Sequence, residues 1–349
     1  MAAFSSRVIQ WQHKHGRHNL PWQDADAYRV WLSEIMLQQT QVITVIPYFQ
    51  KFVASFPDIP SLASATEERV LAHWSGLGYY SRARNLHRSA QQIMQQHAGE
   101  FPAAFDDMLA LPGIGRSTAA AISALVFRQR RAILDGNVKR VLARHLAVPG
   151  WTGEKKIEAQ LWAQAEARLP ARHIAAYTQG MMDLGAMICT RSKPRCSECP
   201  VQDDCEAYRQ GRVAKLPVPR PRKVIPERHS TFLLLLNGTE ILLEKRPGSG
   251  IWGGLWCPPQ IDDGKGVLAD YVQRNGIEVS ERIDLEEFTH TFTHFKLHIT
   301  PVVLHVPHKP SRVQQTGSEW MGMEAALQSA IPTPVRKILT QLPLLAKAG

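Results

Sequence analysis

Two acidic residues and four cysteines carry the chemistry that this chain's residue types allow. Glu34 lies in the run from Tyr28 to Thr40, YRVWLSEIMLQQT. On a helix it shares a face with Val30, Trp31 and Leu37, and Leu32, Ile35 and Met36 make the opposite face apolar too. A carboxyl in such surroundings loses hydration of its charged form, so its pKa is expected to rise. A carboxyl that stays protonated near neutrality can act as a general acid. Asp135 stands between Ile133-Leu134 and Gly136-Asn137. An ionised Asp facing a protonated Glu is the arrangement that cleaves glycosidic bonds: one group protonates the leaving group, the other stabilises or attacks the cationic sugar. Spacing alone leaves open an ordinary buried Glu and a surface Asp, since it does not show that the two converge.

Cys189, Cys196, Cys199 and Cys205 form a C-x6-C-x2-C-x5-C pattern within seventeen residues. Zinc sites of four cysteines usually set two C-x2-C knuckles well apart. Thiolates gathered in one short loop favour a 4Fe–4S cluster, with zinc as the alternative. Arg191, Lys193 and Arg195 fill the first gap, so the metal would shape a basic finger suited to phosphates. Carboxylate acid–base chemistry needs no redox step, and a structural or binding role is expected for the cluster. Cys257 is distant and reads as a buried apolar residue.

Between Glu34 and the cysteines runs LPGIGRSTAAAISALVFRQRRAILDGNVKR, from Leu111 to Arg140. Gly113 and Gly115 let the backbone approach an anion, and Ser117 or Thr118 can cap the alanine-rich helix whose first amides would face it. A lone G-x-G is a weak signal, and an ordinary helical corner is the alternative. GLGYYSRAR, from Gly76 to Arg84, offers a glycine turn, two tyrosines and two arginines; an exposed tyrosine there could wedge a base stack. His290, His294 and His298 recur every four residues on expected strands. Without a companion carboxylate or cysteine that spacing does not make a metal site.

The elements that must hold these groups follow from patterning. At 349 residues the chain has room for two domains. Residues 1–212 read as helical, with apolar steps of three and four through Val30–Val45, Leu62–Trp74, Leu86–Met94 and Ile157–Leu169. Residues 213–228 read as a proline-stiffened linker; Glu206–Arg228 holds seven Lys/Arg against two Glu. Residues 229–349 read as α+β. Ser230–Asn237 and Glu240–Arg246 are expected strands around Asn237-Gly238, and Val267–Asn275 and Val335–Leu342 are expected helices. Glu287–Val306 alternates, but Phe288 and Phe292 share one parity while Phe295, Leu297 and Ile299 share the other. A turn near Thr293-His294 is therefore expected. The net charge of +10 favours an acidic partner, nucleic acid above all. The longest apolar run, Phe232–Leu236, is far too short for a membrane span. The N-terminus lacks the apolar core of a secretory signal, and the cysteine usage suits a reducing, cytoplasmic location, nucleoid-associated in a bacterium.

WLSEIMLQQTQV, GLGYY, LPGIGRSTA, ILDGNVKRV, MDLGAMICTRSKPRC and HTFTHF occur in an order that resembles the adenine DNA glycosylases of the MutY type, nearly end to end. The resemblance implies a helix–hairpin–helix glycosylase domain with an iron–sulfur module and a Nudix-like second domain. It implies base-excision repair of double-stranded DNA, removing adenine mispaired with 8-oxoguanine or guanine, by a monomer with no membrane contact. Glu34 would protonate the adenine, Asp135 would stabilise the oxocarbenium-like sugar and Asn137 would orient the carboxylates, all acting on a flipped-out nucleotide. Gln39 and Tyr79 would fill and wedge the duplex, and Gln179 would line the base pocket. Gly113, Ile114 and Gly115 would form the hairpin on the DNA backbone, with a monovalent cation on its carbonyls, and Ser117 and Lys139 would lie along the DNA.

Ser117 departs from the related endonuclease III type, where the matching residue is a lysine that forms a Schiff base. A serine implies a monofunctional hydrolase that leaves an abasic site. EKRPGSGIWGGLWCPPQ resembles a Nudix fold, but the stretch from Gly266 to Gly276 lacks the clustered glutamates that hold magnesium. No nucleotide hydrolysis, and no Mg2+ for the glycosylase step, is expected. Phe292-Thr293-His294 resembles the Phe-Ser-His turn that reads 8-oxoguanine, with Thr in place of Ser.

Overall fold

Breaks in the helical period decide where each helix of the first half stops. The computed structural model describes residues 3–221, 224–262, 267–310 and 317–345, with side chains of the last helix up to 342. The expected helical stretch Val30–Val45 is two helices, Ala27–Leu37 and Val42–Ser55, separated where Gln39 takes a left-handed backbone (φ 59°). Asp26 starts the first of them, its side chain accepting from the Arg29 amide at 2.8 Å. Leu62–Trp74 also divides, into Ile59–Ser64 and Glu67–Trp74, with Thr66 capping the second.

The chain forms two compact units, Met1–Ser64 with Asn85–Arg222, and Ala65–Arg84 with Lys223–Gly349. These boundaries differ from those expected at 212 and 229. Ala65–Arg84 belongs with the C-terminal half because its polar groups are satisfied there. Ser75 Oγ donates to the Ile331 carbonyl at 2.7 Å, the Trp256 indole donates to Glu68 at 2.5 Å, and Arg84 donates to the Gly253 carbonyl at 2.5 Å. The first part of the expected linker is packed rather than extended. Leu216 is buried with Ala147 and Ala207, and its carbonyl accepts from Arg144 at 2.7 Å. Arg222 and Lys223 lie outside the described residues.

In the helical unit the core forms around Arg116–Leu125, Gly136–His145, Lys155–Ala167 and Ile174–Asp183. Ala120, Ala121 and Ala124 are buried in one core with Val138, Val141, Leu142 and Met181, and their small side chains permit close approach of Arg116–Leu125 and Ile174–Asp183. Gly180 does the same for Ile174–Asp183 and Phe4–His15, since a Cβ there would meet Val8 Cγ1 at 2.9 Å. Gly115, not Ser117 or Thr118, is the N-cap of Arg116–Leu125. Helix Ile174–Asp183 continues into a π-helical turn, Leu184–Ile188, that delivers the chain to Cys189.

Among the described residues the C-terminal unit holds an eight-stranded mixed sheet: β1 (Glu227–Asn237), β2 (Glu240–Lys245), β3 (Trp256–Cys257), β4 (Gln260–Asp262), β5 (Glu281–Asp284), β6 (Phe288–Thr291), β7 (Lys296–His305) and β8 (Ser318–Gly322). Its centre is the parallel pair β1–β7, in register from Glu227 opposite Lys296 to Leu236 opposite His305. Phe232–Leu236 is buried throughout, as a strand covered on both faces requires. The parity slip is a hairpin: β6 pairs antiparallel with β7, Phe288 opposite Ile299 and His290 opposite Leu297, and the chain turns at 292–295. Helices Leu268–Arg274 and Thr333–Leu345 lie where helices were expected; Gly266 is outside the described residues. Among the described residues no helix is long and apolar enough to cross a membrane.

Candidate active site

Glu34, from helix Ala27–Leu37, and Asp135, at the start of Gly136–His145, line one cleft of about 890 Å³. Gln39, Ser117 and Asn137 line it too, with Arg17, Gln38, Thr118, Arg140 and Met182. Burial pushes the Glu34 carboxyl up to about 8, and the negative charge of Asp135 adds to the effect. Burial raises Asp135 as well, an effect that the Val138 and Asn137 amides, the Asn137 side chain and Arg140 offset only in part. No such donor acts on Glu34 in that balance. Asp135 is therefore the first of the pair to ionise, and its charge helps keep the proton on Glu34.

The Asp135 carboxylate is built in from three directions. It caps its own helix, Oδ1 accepting from the Val138 amide at 2.8 Å, and Oδ2 accepts from Asn137 Nδ2 at 3.1 Å. Arg140 donates through Nη2 to Asn137 Oδ1 at 2.8 Å, which fixes the amide so that its NH2 end faces Asp135. The same guanidinium reaches the carbonyls of Gly185 and Cys189, both at 2.7 Å. Gly185 is required here, because a Cβ would fall 2.5 Å from Asn137 Cβ. From the other side, Ser117 Oγ accepts from the Leu134 amide at 3.0 Å, one residue before Asp135.

Gly113 turns the hairpin with φ 81°, and a Cβ would meet Asn85 Cβ at 2.9 Å. Ile114 is buried and anchors the turn, so only its backbone is on offer. Gly115 faces open space at an N-cap without a side-chain hydrogen bond, leaving the first amides of an α-helix for an anion.

Cys189, Cys196, Cys199 and Cys205 line one cavity, roofed by Val141, Ile188 and Val201. None of the four is in a disulfide, and Arg144, buried, donates to Cys189 Sγ at 3.4 Å and to the carbonyls of Thr190 (2.7 Å) and Arg191 (3.1 Å). Four converging sulfurs with a cationic donor beside them fit an iron–sulfur cluster, whose charge such a donor offsets.

Three family descriptions match: HhH-GPD superfamily base excision DNA repair protein over residues 32–167, iron-sulfur binding domain of endonuclease III over 189–205, and NUDIX domain over 231–341. An adenine DNA glycosylase of Buchnera aphidicola subsp. Schizaphis graminum is 39% identical over 339 residues, covering 96% of this chain and 97% of that protein. The chain belongs to the adenine DNA glycosylase family. The Mus musculus adenine DNA glycosylase is 31% identical, covering 97% of this chain and 77% of its own. Among solved structures, a thermostable thymine-DNA glycosylase matches with a TM-score of 0.52 and 26% identity, covering 59% of this chain and 95% of its own. This chain is thus a DNA-binding glycosylase of base-excision repair, with an iron–sulfur module and a Nudix-like second domain.

Not every residue expected in the glycosylase site lies along the cleft. Gln179 is buried on a neighbouring cavity with Gln12, His18 and Trp22, and donates to Asp183 at 2.8 Å. Its link to the cleft is indirect: Arg17, which does line it, holds Asp183 at 2.6 Å. Lys139 pairs with Glu158 at 2.6 Å and is not among the cleft-lining residues. Gln39 (φ 59°) and Tyr79 (φ 49°) both hold left-handed backbone, uncommon for residues with side chains and frequent at functional sites. Of the two tyrosines Tyr80 is buried and Tyr79 is 44% exposed, with Arg82 over its ring at 5.5 Å. Phe292 stacks on Phe295 at 4.4 Å and packs on Trp252 at 5.4 Å, leaving Thr293 and His294 exposed at the hairpin tip. Sequence reasoning missed Arg17 and Gln38, gave Thr118 only as a possible helix cap, and named Arg140 only as one of the bases near Asp135. Only Arg140 had a visible signal, as the base following DGNVK.

Proposed function

We propose that this glycosylase hydrolyses the N-glycosidic bond of adenine opposite 8-oxoguanine or guanine in duplex DNA, as a monofunctional monomer that leaves an abasic site. One observation carries the reading: two buried carboxyls line a single cleft, and hydrogen-bond donors hold Asp135. Glu34 donates its proton to the adenine ring, weakening the bond to the sugar. Asp135 remains charged and stabilises the oxocarbenium-like sugar, and Asn137, set by Arg140, aims the Asp135 oxygen. The adenine is flipped out to reach them, with Gln39 and Tyr79 acting in the opened duplex. Gln179 acts on the base pocket through Asp183 and Arg17.

The hairpin Gly113–Gly115 binds backbone phosphate, with its carbonyls available to a monovalent cation, and Ser117 and Lys139 lie on the DNA side. Cys189, Cys196, Cys199 and Cys205 would hold a 4Fe–4S cluster, which when bound supplies a rigid core for the basic loop. Phe292, Thr293 and His294 read the oxidised guanine. Helix Leu268–Arg274 carries one carboxylate, Asp270, and no glutamate, so no magnesium-dependent nucleotide hydrolysis is assigned there.

Ser117 favours the monofunctional reading. Its hydroxyl is committed to the Leu134 amide, and the nearby amine Lys139 is held by Glu158. The test is single-turnover adenine release from a duplex carrying adenine opposite 8-oxoguanine, with an adenine–thymine control and borohydride trapping in parallel. Release confined to the mispair without a trapped adduct is expected. Equal release from the adenine–thymine duplex, or strong trapping, overturns the reading.

A further inference from the structure

The register of the central sheet brings together groups that the histidine spacing does not reveal. His229 of β1 lies opposite His298 of β7, which lies opposite Thr289 of β6, so all three project from one sheet face. On that face the imidazoles of His229 and His298 stack, with centroids 4.5 Å apart and planes 15° from parallel. Glu287, just before β6, reaches over both. One oxygen is 3.8 Å from His229 Nδ1 and the other is 3.6 Å from His298 Nδ1. Thr300 donates to Glu287 at 3.3 Å and holds it in place.

The hydrogen bonds around His298 fix what its ring presents. Nε2 faces the Glu227 carboxylate at 3.2 Å, which can only accept, and Glu227 is in turn held by Lys296 at 2.8 Å. In the neutral ring the lone pair is then on Nδ1, which lies 3.2 Å from the Thr289 hydroxyl. That lone pair, a His229 nitrogen and the Glu287 oxygens lie close together, and a cation among them would displace the Thr289 hydroxyl from Nδ1. One carboxylate behind a histidine whose other nitrogen faces outward is the usual support of a metal-bound imidazole.

We propose that His229, His298 and Glu287 form a zinc site, with Glu227 as the outer carboxylate that orients His298. Two neutral imidazoles and one carboxylate are a ligand set that zinc accepts, with water in the fourth position. The ligand atoms of the three residues lie within 4.8 Å of one another. Tetrahedral zinc, with Zn–N near 2.0–2.1 Å, wants them about 3.4 Å apart. Closing that difference requires the exposed His229 ring to leave its stack on His298 and turn until both ring planes contain the ion, with the exposed Glu287 side chain following. The ion would tie β1, β7 and the chain entering β6, at the base of the hairpin that carries Phe292–His294.

The test uses the full-length, cluster-loaded protein equilibrated with zinc chloride and then freed of loose metal. Zinc and iron per chain are measured together, with the thermal midpoint before and after zinc. One zinc per chain, no loss of iron and a raised midpoint are expected. His298→Gln and Glu287→Gln should each weaken zinc binding by about tenfold or more while keeping their iron. His229→Gln, at a half-exposed position, serves where His298→Gln folds poorly. If wild-type protein takes up no zinc at micromolar free metal, the trio is held by protons alone and the proposal fails. It also fails if uptake is equal in all variants, or if zinc enters as iron leaves, which places the metal on the cysteines.

Discussion

Asn137 donates to Asp135 Oδ2 at 3.1 Å only because Arg140 occupies the other end of its amide, at 2.8 Å from Oδ1. Replacing Asn137 by Ala removes a donor to a charged acceptor, an interaction of about 1.5–3 kcal/mol. Single-turnover adenine release should fall roughly 10- to 100-fold on that basis, with duplex affinity little changed. Asp135 must be ionised to act, and losing a donor raises its pKa. The acid limb of the pH–rate profile should therefore move to higher pH, and an unmoved limb would place Asn137 outside the mechanism.

Glu34 gives a prediction with two opposed readouts. Glu34→Gln should lower the rate of adenine release by at least about 10²-fold, the usual contribution of a general acid. In the wild type the rate should decline as pH rises through about 8, where Glu34 loses its proton. Stability carries the same sign. The folded-state pKa is raised from 4.5 to about 8, so ionisation is disfavoured in the fold, and stability is lost as pH rises between those values. The Gln variant has no such loss. Its melting temperature should exceed the wild type's above pH 8 and approach it near pH 4.5; the reverse order would show a charged, well-paired Glu34.

Ser117→Lys places an amine beside the cleft while breaking the hydroxyl's hold on the Leu134 amide. Borohydride should then trap a covalent protein–DNA adduct that the wild type does not give, and adenine release should slow because Asp135 is less firmly placed. Trapping by the wild type at the variant's level would instead point to Lys139 escaping Glu158.

Gly113→Ala sets a Cβ 2.9 Å from Asn85 in a backbone with φ 81°. The strain, about 1–3 kcal/mol, should lower the melting temperature and weaken duplex binding alike for all sequences. Weakening confined to one mispair would contradict a backbone-binding role.

Arg144→Met removes the guanidinium that clasps Cys189 Sγ and three cluster-loop carbonyls counting Cys189's own, at 3.4 Å, beside those of Thr190 and Arg191. Iron should be lost to a chelator faster than from the wild type, with adenine release per cluster-loaded molecule largely kept. Unchanged iron retention would make Arg144 merely a support for Leu216.

Much of this was written in local sequence. The four cysteines are close along the chain, so their spacing alone announces a shared metal. The apolar neighbours of Glu34 on both helix faces announce a raised pKa, and the parity change at Phe292–Phe295 announces a turn. Distances along the chain set those features, and residue type is enough to read them. Convergence is different. Glu34 and Asp135 share a cleft because helix Ala27–Leu37 packs on Arg116–Leu125, and Ile174–Asp183 packs on both Arg116–Leu125 and Gly136–His145; which helix meets which is a property of the whole core. Arg17 lines the cleft while clasping Asp183, Gln179 falls on a separate cavity, and Ala65–Arg84 joins the C-terminal unit through partners more than 160 residues away. His229 and His298 are opposite only through a parallel pairing, whose register depends on every buried side chain of both strands. Local patterns follow from short-range physics and residue identity; the meeting of distant side chains is fixed by packing, which no short window of the chain contains.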